Sequence, residues 1–233
     1  AAKWNVSRSE LDELGLRSQE LARGATDWGA FAREIVPVAV HADDGTTHLV
    51  HADEGLRTTT LEGLAALRPA FVDDRLEGRF PQIEWSVTAG NSSQLADGAS
   101  ALLVMEESRA ERLGLEPLAR IVAMSVVSDD PIMMLSGPIP ATQRVLERAS
   151  MSIDDIDHYE VNEAFAPVPL AWQIELGADP ERLNPRGGAI ALGHPLGGSG
   201  TRLMATMLHA LRASGGRYGL QTMCEAGGMA NAT

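Results

Sequence analysis

The sequence predicts an α/β layered fold with buried strands, on three observations. From residue 118 onward, short apolar runs alternate with helix-patterned segments in the order β-α-β-α-β-α-β-β. The strand-like run Gly188–Leu192 is continuously apolar, as strands covered on both faces are. Glycine is also crowded: 11 of the 23 lie between Gly187 and Gly228, a density that marks tight turns and close backbone approach.

The elements follow in order. Ser7-Arg8-Ser9-Glu10 reads as a capping box, in which the Ser hydroxyl and the Glu carboxylate each satisfy a free helix N–H. Leu11, Leu14, Leu21, Ala22 and Ala25 continue at near-helical spacing, so Ser9–Ala25 is predicted to be an amphipathic helix. Glu34–Val40 reads as a strand that Pro37 pushes toward a sheet edge, and residues 41–60 are polar and turn-rich. Thr60–Leu67 is predicted to be a short helix stopped before Pro69, and Asp73–Ser86 an exposed loop. Beyond residue 94 come an apolar run at Ala99–Met105, a helix at Glu106–Leu113 and an apolar strand at Leu118–Val127. Helices at Ala141–Ala149, Leu170–Leu176 and Thr201–Arg212 then alternate with strands at Asp157–Val161, Gly188–Leu192 and Tyr218–Met223. A glycine hairpin and a last apolar segment close the order. Pro167 and Pro169 remove two N–H donors and are expected to delay the helix at Leu170.

Composition narrows the function classes. Nineteen Lys and Arg stand against 32 Asp and Glu, a formal charge of −13, with no basic run and 4% aromatics. Nucleic acid is therefore not an expected partner, since phosphate binding needs clustered cations and single strands need stacking rings. A single cysteine excludes an internal disulfide and a Cys-rich zinc site, and a cytoplasmic, reducing location fits it. No window of 18 apolar residues predicts a membrane span.

The chemistry-bearing residues gather near predicted strand ends: Asn162 and Glu163, His194, and Cys224. Ligands of open α/β sheets sit at strand carboxyl ends. A neutral imidazole donates to a developing oxyanion, a thiol exchanges a proton near neutral pH, and Asn adds a donor or anchors a water. This is a set for acyl transfer or enolate chemistry. A lone strand-end Cys also serves as a small core residue, a lone loop His as a structural one, Asn162 as a turn-former and Glu163 as a helix-start charge. The loop Gly193-His194-Pro195-Leu196-Gly197-Gly198-Ser199-Gly200 is neither a Walker loop nor a Gly-x-Gly-x-x-Gly turn, so it does not point to a nucleotide.

Asn162-Glu163-Ala164-Phe165-Ala166, Gly187-Gly188-Ala189-Ile190-Ala191-Leu192-Gly193-His194-Pro195-Leu196-Gly197, and Cys224 with Gly227-Gly228 form three blocks. Together they resemble the C-terminal signatures of the thiolase family. Thr88-Ala89-Gly90-Asn91-Ser92-Ser93 with Asp97-Gly98-Ala99 is a further block, and Arg57 with Leu67-Arg68-Pro69-Ala70-Phe71 resembles a coenzyme A-lining segment. The resemblance implies an acyltransferase that cleaves 3-ketoacyl-CoA with coenzyme A, or runs the reverse Claisen condensation, and takes coenzyme A as substrate with no other cofactor. His194 would form one side of an oxyanion hole and help hold a nucleophilic thiol as thiolate. Asn162 would complete the hole through a bound water, and Cys224 would be the acid/base. Phe71, Ser93, Leu95, Ala164 and Phe165 match positions around the pantetheine, and Arg57 one near the adenine end.

The resemblance further implies a coenzyme A-lining loop domain over 1–93, the end of an N-terminal unit over 94–117 and a C-terminal thiolase domain over 118–233. The family's nucleophilic cysteine belongs to an N-terminal half that has no counterpart here, so this stretch alone is expected to be inactive. A homo-oligomer when complete, or a companion chain supplying the nucleophile, would restore it. A non-catalytic acyl-CoA-binding subunit and a biosynthetic acetoacetyl-CoA thiolase are the alternatives. Departures from the family pattern are Ala226 for the first Gly of Cys-x-Gly-Gly-Gly, Ala96 for an Asn, and Arg186 for a small polar residue.

Overall fold

The computed structural model describes residues 1–233. Helix α1 spans Arg8–Asp27 behind the Ser7 cap: Glu10 N donates to Ser7 Oγ at 3.3 Å, and Ser7 N donates to Glu10 Oε2 at 2.7 Å. The capping box read from the sequence is therefore present. Leu11 and Leu14 pack against Val6, Ala166 and Ile190, and Ala22 and Ala25 pack against Phe31, Ala191 and Leu192.

Strands β1 (Val38–His41) and β2 (Thr47–Val50) form an antiparallel hairpin whose turn Gly45 closes at φ 83°. The strand thus starts after Pro37, and the polar stretch beyond residue 41 holds its partner. Helix α2 (Leu61–Ala65) is capped by Thr60, and α3 (Asp74–Glu77) is a single turn inside the expected loop, capped by Asp73. Helix α4 covers Glu107–Arg112.

The apolar runs at 99–105 and 118–124 form no strand. Leu103, Leu118 and Val122 are exposed, because nothing in this chain lies alongside to take their backbone hydrogen bonds. Only Ser125–Ser128 of the second run becomes a strand, β3. After it come α5 (Pro138–Ala149), β4 (His158–Val161), α6 (Pro167–Leu176), α7 (Ala189–Leu192), α8 (Ser199–Ser214), β5 (Gly219–Cys224) and β6 (Met229–Ala232).

Two expectations are corrected here. Helix α6 starts at Pro167 rather than near Leu170, because the first helical N–H groups have no intrahelical acceptor and a proline loses nothing there. The expected strand Gly188–Leu192 is instead an extended Gly188 followed by the helix Ala189–Leu192, so the order from 118 is β-α-β-α-α-α-β-β.

The sheet order is β3-β6-β5-β4, with β4 and β5 parallel and the other pairs antiparallel. Leu220, Tyr159, Val161, Ala230 and Ala232 turn to one face and build the main core with Trp172 of α6 and Val145 of α5. Trp172 meets Tyr159 edge-on at 5.3 Å and donates Nε1–H to Thr142 Oγ1 at 2.8 Å. The alternate residues face α8: a side chain at Gly219 would strike Leu211 and Met207. Three layers result, with β4 and β5 sandwiched between helices. No helix is long and apolar enough to cross a membrane.

Candidate active site

Parallel pairing of β4 with β5 brings the two predicted strand ends to one edge. Val161 lies opposite Thr222, and Asn162 N donates to Thr222 O at 3.1 Å. Asn162 therefore leaves the sheet level with the end of β5, where Cys224 is the last strand residue. Cys224 is buried and belongs to the main core. Burial, and then the neighbouring Glu225 carboxylate, push its thiol up to about 11, so it is a neutral S–H at pH 7.

His194 arrives from a different element, the turn between α7 and α8 rather than a strand end. Its Nε2 lies 3.3 Å from Asn162 Nδ2, and its Nδ1 lies 2.6 Å from Ser199 Oγ. The structure thus joins Asn162 and His194 directly, although 32 residues separate them. Burial, aided by the positive charge of Arg202, lowers the imidazole pKa, which favours the neutral ring. Asn162 is buried, and its Oδ1 has no hydrogen-bond partner in the protein.

Glu163 has a different task from the other strand-end polar residues. It is fully buried and accepts from Ser18 Oγ at 2.7 Å, Asn184 Nδ2 at 3.0 Å and Ile190 N at 3.1 Å. Burial raises its pKa, while those donors oppose the rise. The carboxylate caps α7, and only a glycine at 188 leaves room for it, since a Cβ there would collide with its carboxyl carbon.

The residues proposed to line coenzyme A divide into a cluster and two outliers. Phe71 and Phe165 meet edge-on at 5.7 Å, and Ser93 N donates to Ala164 O at 3.0 Å. Leu95 points fully into solvent. Arg57 is exposed and reaches this region only through its backbone N–H, which donates to Gln19 Oε1 at 2.9 Å.

Two positioning residues carried no sequence motif. Gln94 Nε2 lies within hydrogen-bond distance of the carbonyls of Gly55, Ile190 and Ala191, and its own carbonyl accepts from His194 N at 3.0 Å. Asn184, in the left-handed region at φ 45°, brackets Val161: its Oδ1 accepts from Val161 N and its Nδ2 donates to Val161 O, each at 2.9 Å. Arg186 ties the segment after α1 to α8 through Ala30 O and His209 O. Ala226 is tolerated because, of the turn after Cys224, only Gly227 and Gly228 adopt positive φ.

The family models described as "Thiolase, N-terminal domain" and "Thiolase, C-terminal domain" match residues 1–108 and 115–233. The chain belongs to the thiolase family. A steroid 3-ketoacyl-CoA thiolase of Mycobacterium tuberculosis is 48% identical over 233 residues, covering 100% of this chain and 53% of the relative. An acetyl-CoA acetyltransferase of Paracoccus denitrificans is 45% identical over 230 residues, covering 98% of this chain and 56% of that protein. The crystal structure of the Bacillus anthracis acetyl-CoA acetyltransferase superposes with a TM-score of 0.91 at 40% identity, over 99% of this chain and 56% of that one. This thiolase chain therefore spans little more than half the length of the proteins it matches, and its layered fold is theirs over that span.

Proposed function

We propose that this chain supplies the oxyanion-binding and acid/base groups of an enzyme that cleaves 3-ketoacyl-CoA by thiolysis, giving acetyl-CoA and a shortened acyl-CoA. The observation that carries the reading is the direct contact of Asn162 with His194 at the sheet edge where β5 delivers Cys224. A thioester α-carbon is a poor acid, so its enolate needs preorganised donors in a dry site. His194 becomes one such donor once its Nε2 has taken the proton of the attacking thiol. The unpartnered Oδ1 of Asn162 can accept from a water whose second proton reaches the same oxyanion.

When the carbon–carbon bond breaks, its electron pair passes to the acetyl-CoA α-carbon, which takes the proton of the Cys224 thiol. A thiol held neutral at pH 7 suits that donation. The thiolate left behind is reset by the proton that incoming coenzyme A gives up. The nucleophile that carries the acyl group is not among these residues: Cys224 is this chain's only cysteine. It would come from a longer form of the protein or from a companion chain.

Arg57, Phe71, Ser93, Leu95, Ala164 and Phe165 are proposed to line coenzyme A, with the Phe71–Phe165 pair beside the pantetheine. The same reading divides the chain into a loop domain over 1–93, a connecting piece over 94–117 and the catalytic domain over 118–233. In the full-length protein, His194→Ala and Cys224→Ala should each lower kcat for thiolysis of acetoacetyl-CoA and longer 3-ketoacyl-CoA by roughly 10²–10⁴-fold. Activity indifferent to both substitutions would remove the assignment. The single cysteine favours a second reading, a non-catalytic acyl-CoA-binding subunit, which would bind acyl-CoA while showing no turnover in its native complex.

A further inference from the structure

Behind His194 stands a hydroxyl that the proposed chemistry does not use. Ser199, the first residue of α8, is fully buried, and its Oγ lies 2.6 Å from His194 Nδ1 and 2.9 Å from Pro195 O. On the opposite side of the ring, Nε2 faces Asn162 Nδ2 at 3.3 Å. These contacts form a chain with a direction. The Asn162 amide presents a donor to Nε2, which leaves the ring proton on Nδ1; Ser199 Oγ accepts it with a lone pair while its own hydroxyl proton goes to Pro195 O. A neutral ring with its proton on Nδ1 has a bare Nε2, which suits the Asn162 amide as a donor. Both ring nitrogens then face a partner of the opposite kind, an acceptor at Nδ1 and a donor at Nε2.

We propose that Ser199 is a positioning residue that holds His194 in the Nδ1–H tautomer and so reserves the Nε2 lone pair for the reacting groups. The inference rests on the thiolase reading of His194. A ring locked this way can take a proton at Nε2 from a thiol and then, as imidazolium, donate that proton to an oxyanion, while Nδ1–H stays bonded to Oγ throughout. The other neutral tautomer cannot do both. Its Nδ1 would need a proton, and Ser199 is sealed from water with no base behind it. The partner of one ring nitrogen sets the protonation of the other, and a neutral hydroxyl does this without the charge that would keep the ring protonated. Burial and Arg202 act in the same sense by favouring the neutral ring.

The test is solid-state 15N NMR of the full-length protein labelled at histidine, with the His194 signals assigned by their loss in His194→Asn, together with steady-state thiolysis. In the wild type, Nδ1 is expected to resonate as a protonated, pyrrole-type nitrogen and Nε2 as a bare, pyridine-type one. Ser199→Ala should move the proton to Nε2 and lower kcat at least tenfold with KM within twofold. Ser199→Thr, which keeps the hydroxyl, should restore the wild-type spectrum and most of kcat. A wild-type ring with its proton on Nε2, an unchanged tautomer in Ser199→Ala, or an unchanged kcat in that variant would each overturn the proposal. Should Ser199→Ala fail to fold, the wild-type spectrum still decides. If instead His194→Ala leaves thiolysis intact, the thiolase reading fails, while the spectra still report on Ser199.

Discussion

Cys224 shows how one residue's surroundings set its chemistry. Its thiol closes a buried strand among apolar neighbours, and the adjacent Glu225 carboxylate disfavours the thiolate further. Burial therefore favours the neutral form up to about pH 11. Because the folded value lies above that of an unfolded thiol, the folded state prefers the protonated form, and the stability this contributes is lost as pH rises from the ordinary thiol range through 11. The same shift predicts reactivity. Alkylation of this chain's only cysteine by iodoacetamide should rise about tenfold per pH unit from 7 to 10 with no plateau. A rate that levels off by pH 9 would contradict the environment described for Cys224.

Among the elements, α1, β4 and α7 depend on one buried carboxylate. Glu163 leaves β4, caps α7 through Ile190 N and binds Ser18 of α1, while Asn184 braces both Glu163 and Val161. This knot fixes the path of the chain from Asn162 and from α7 into His194, so it positions the site without entering it. Truncation to alanine leaves three buried donors short of an acceptor. Glu163→Ala should therefore lower unfolding free energy by about 3 kcal/mol, read from the denaturant midpoint, and weaken thiolysis in the full-length protein. A loss under about 1 kcal/mol would mean that the knot is not the strut described here.

Across the whole molecule, a well-filled core coexists with bare apolar surface. Trp172, Tyr159 and Leu220 are sealed between layers, yet Leu95, Leu103, Val104, Leu118, Val122 and Val126 lie open to solvent. The last of these is on β3, whose outer edge has no strand beside it. Apolar surface of this extent beside an open edge favours association. By itself the 233-residue chain should run as an oligomer or aggregate in size-exclusion chromatography with light scattering. A monodisperse species at 24.8 kDa would refute that.

What the sequence determined by itself was local or motif-borne. The Ser7–Glu10 box and the periodic leucines place α1, because a helix start and an amphipathic stripe are written in neighbouring residues. The blocks around Asn162, His194 and Cys224 likewise single out the candidate site residues. Tertiary structure decided what depends on partners distant in the chain. Ala189–Leu192 is an apolar run too short for its period to separate strand from helix, and the choice falls to a carboxylate 27 residues away from Ile190. Gln94 gains its meaning from Gly55 and from the α7 carbonyls, Asn184 from Val161, and Ser199 from the ring it faces. The apolar runs near 100 and 120 read as buried because hydropathy measures an aversion to water. Whether anything covers them is settled by what packs there, since a hydrogen-bonded strand needs a neighbour that composition cannot supply.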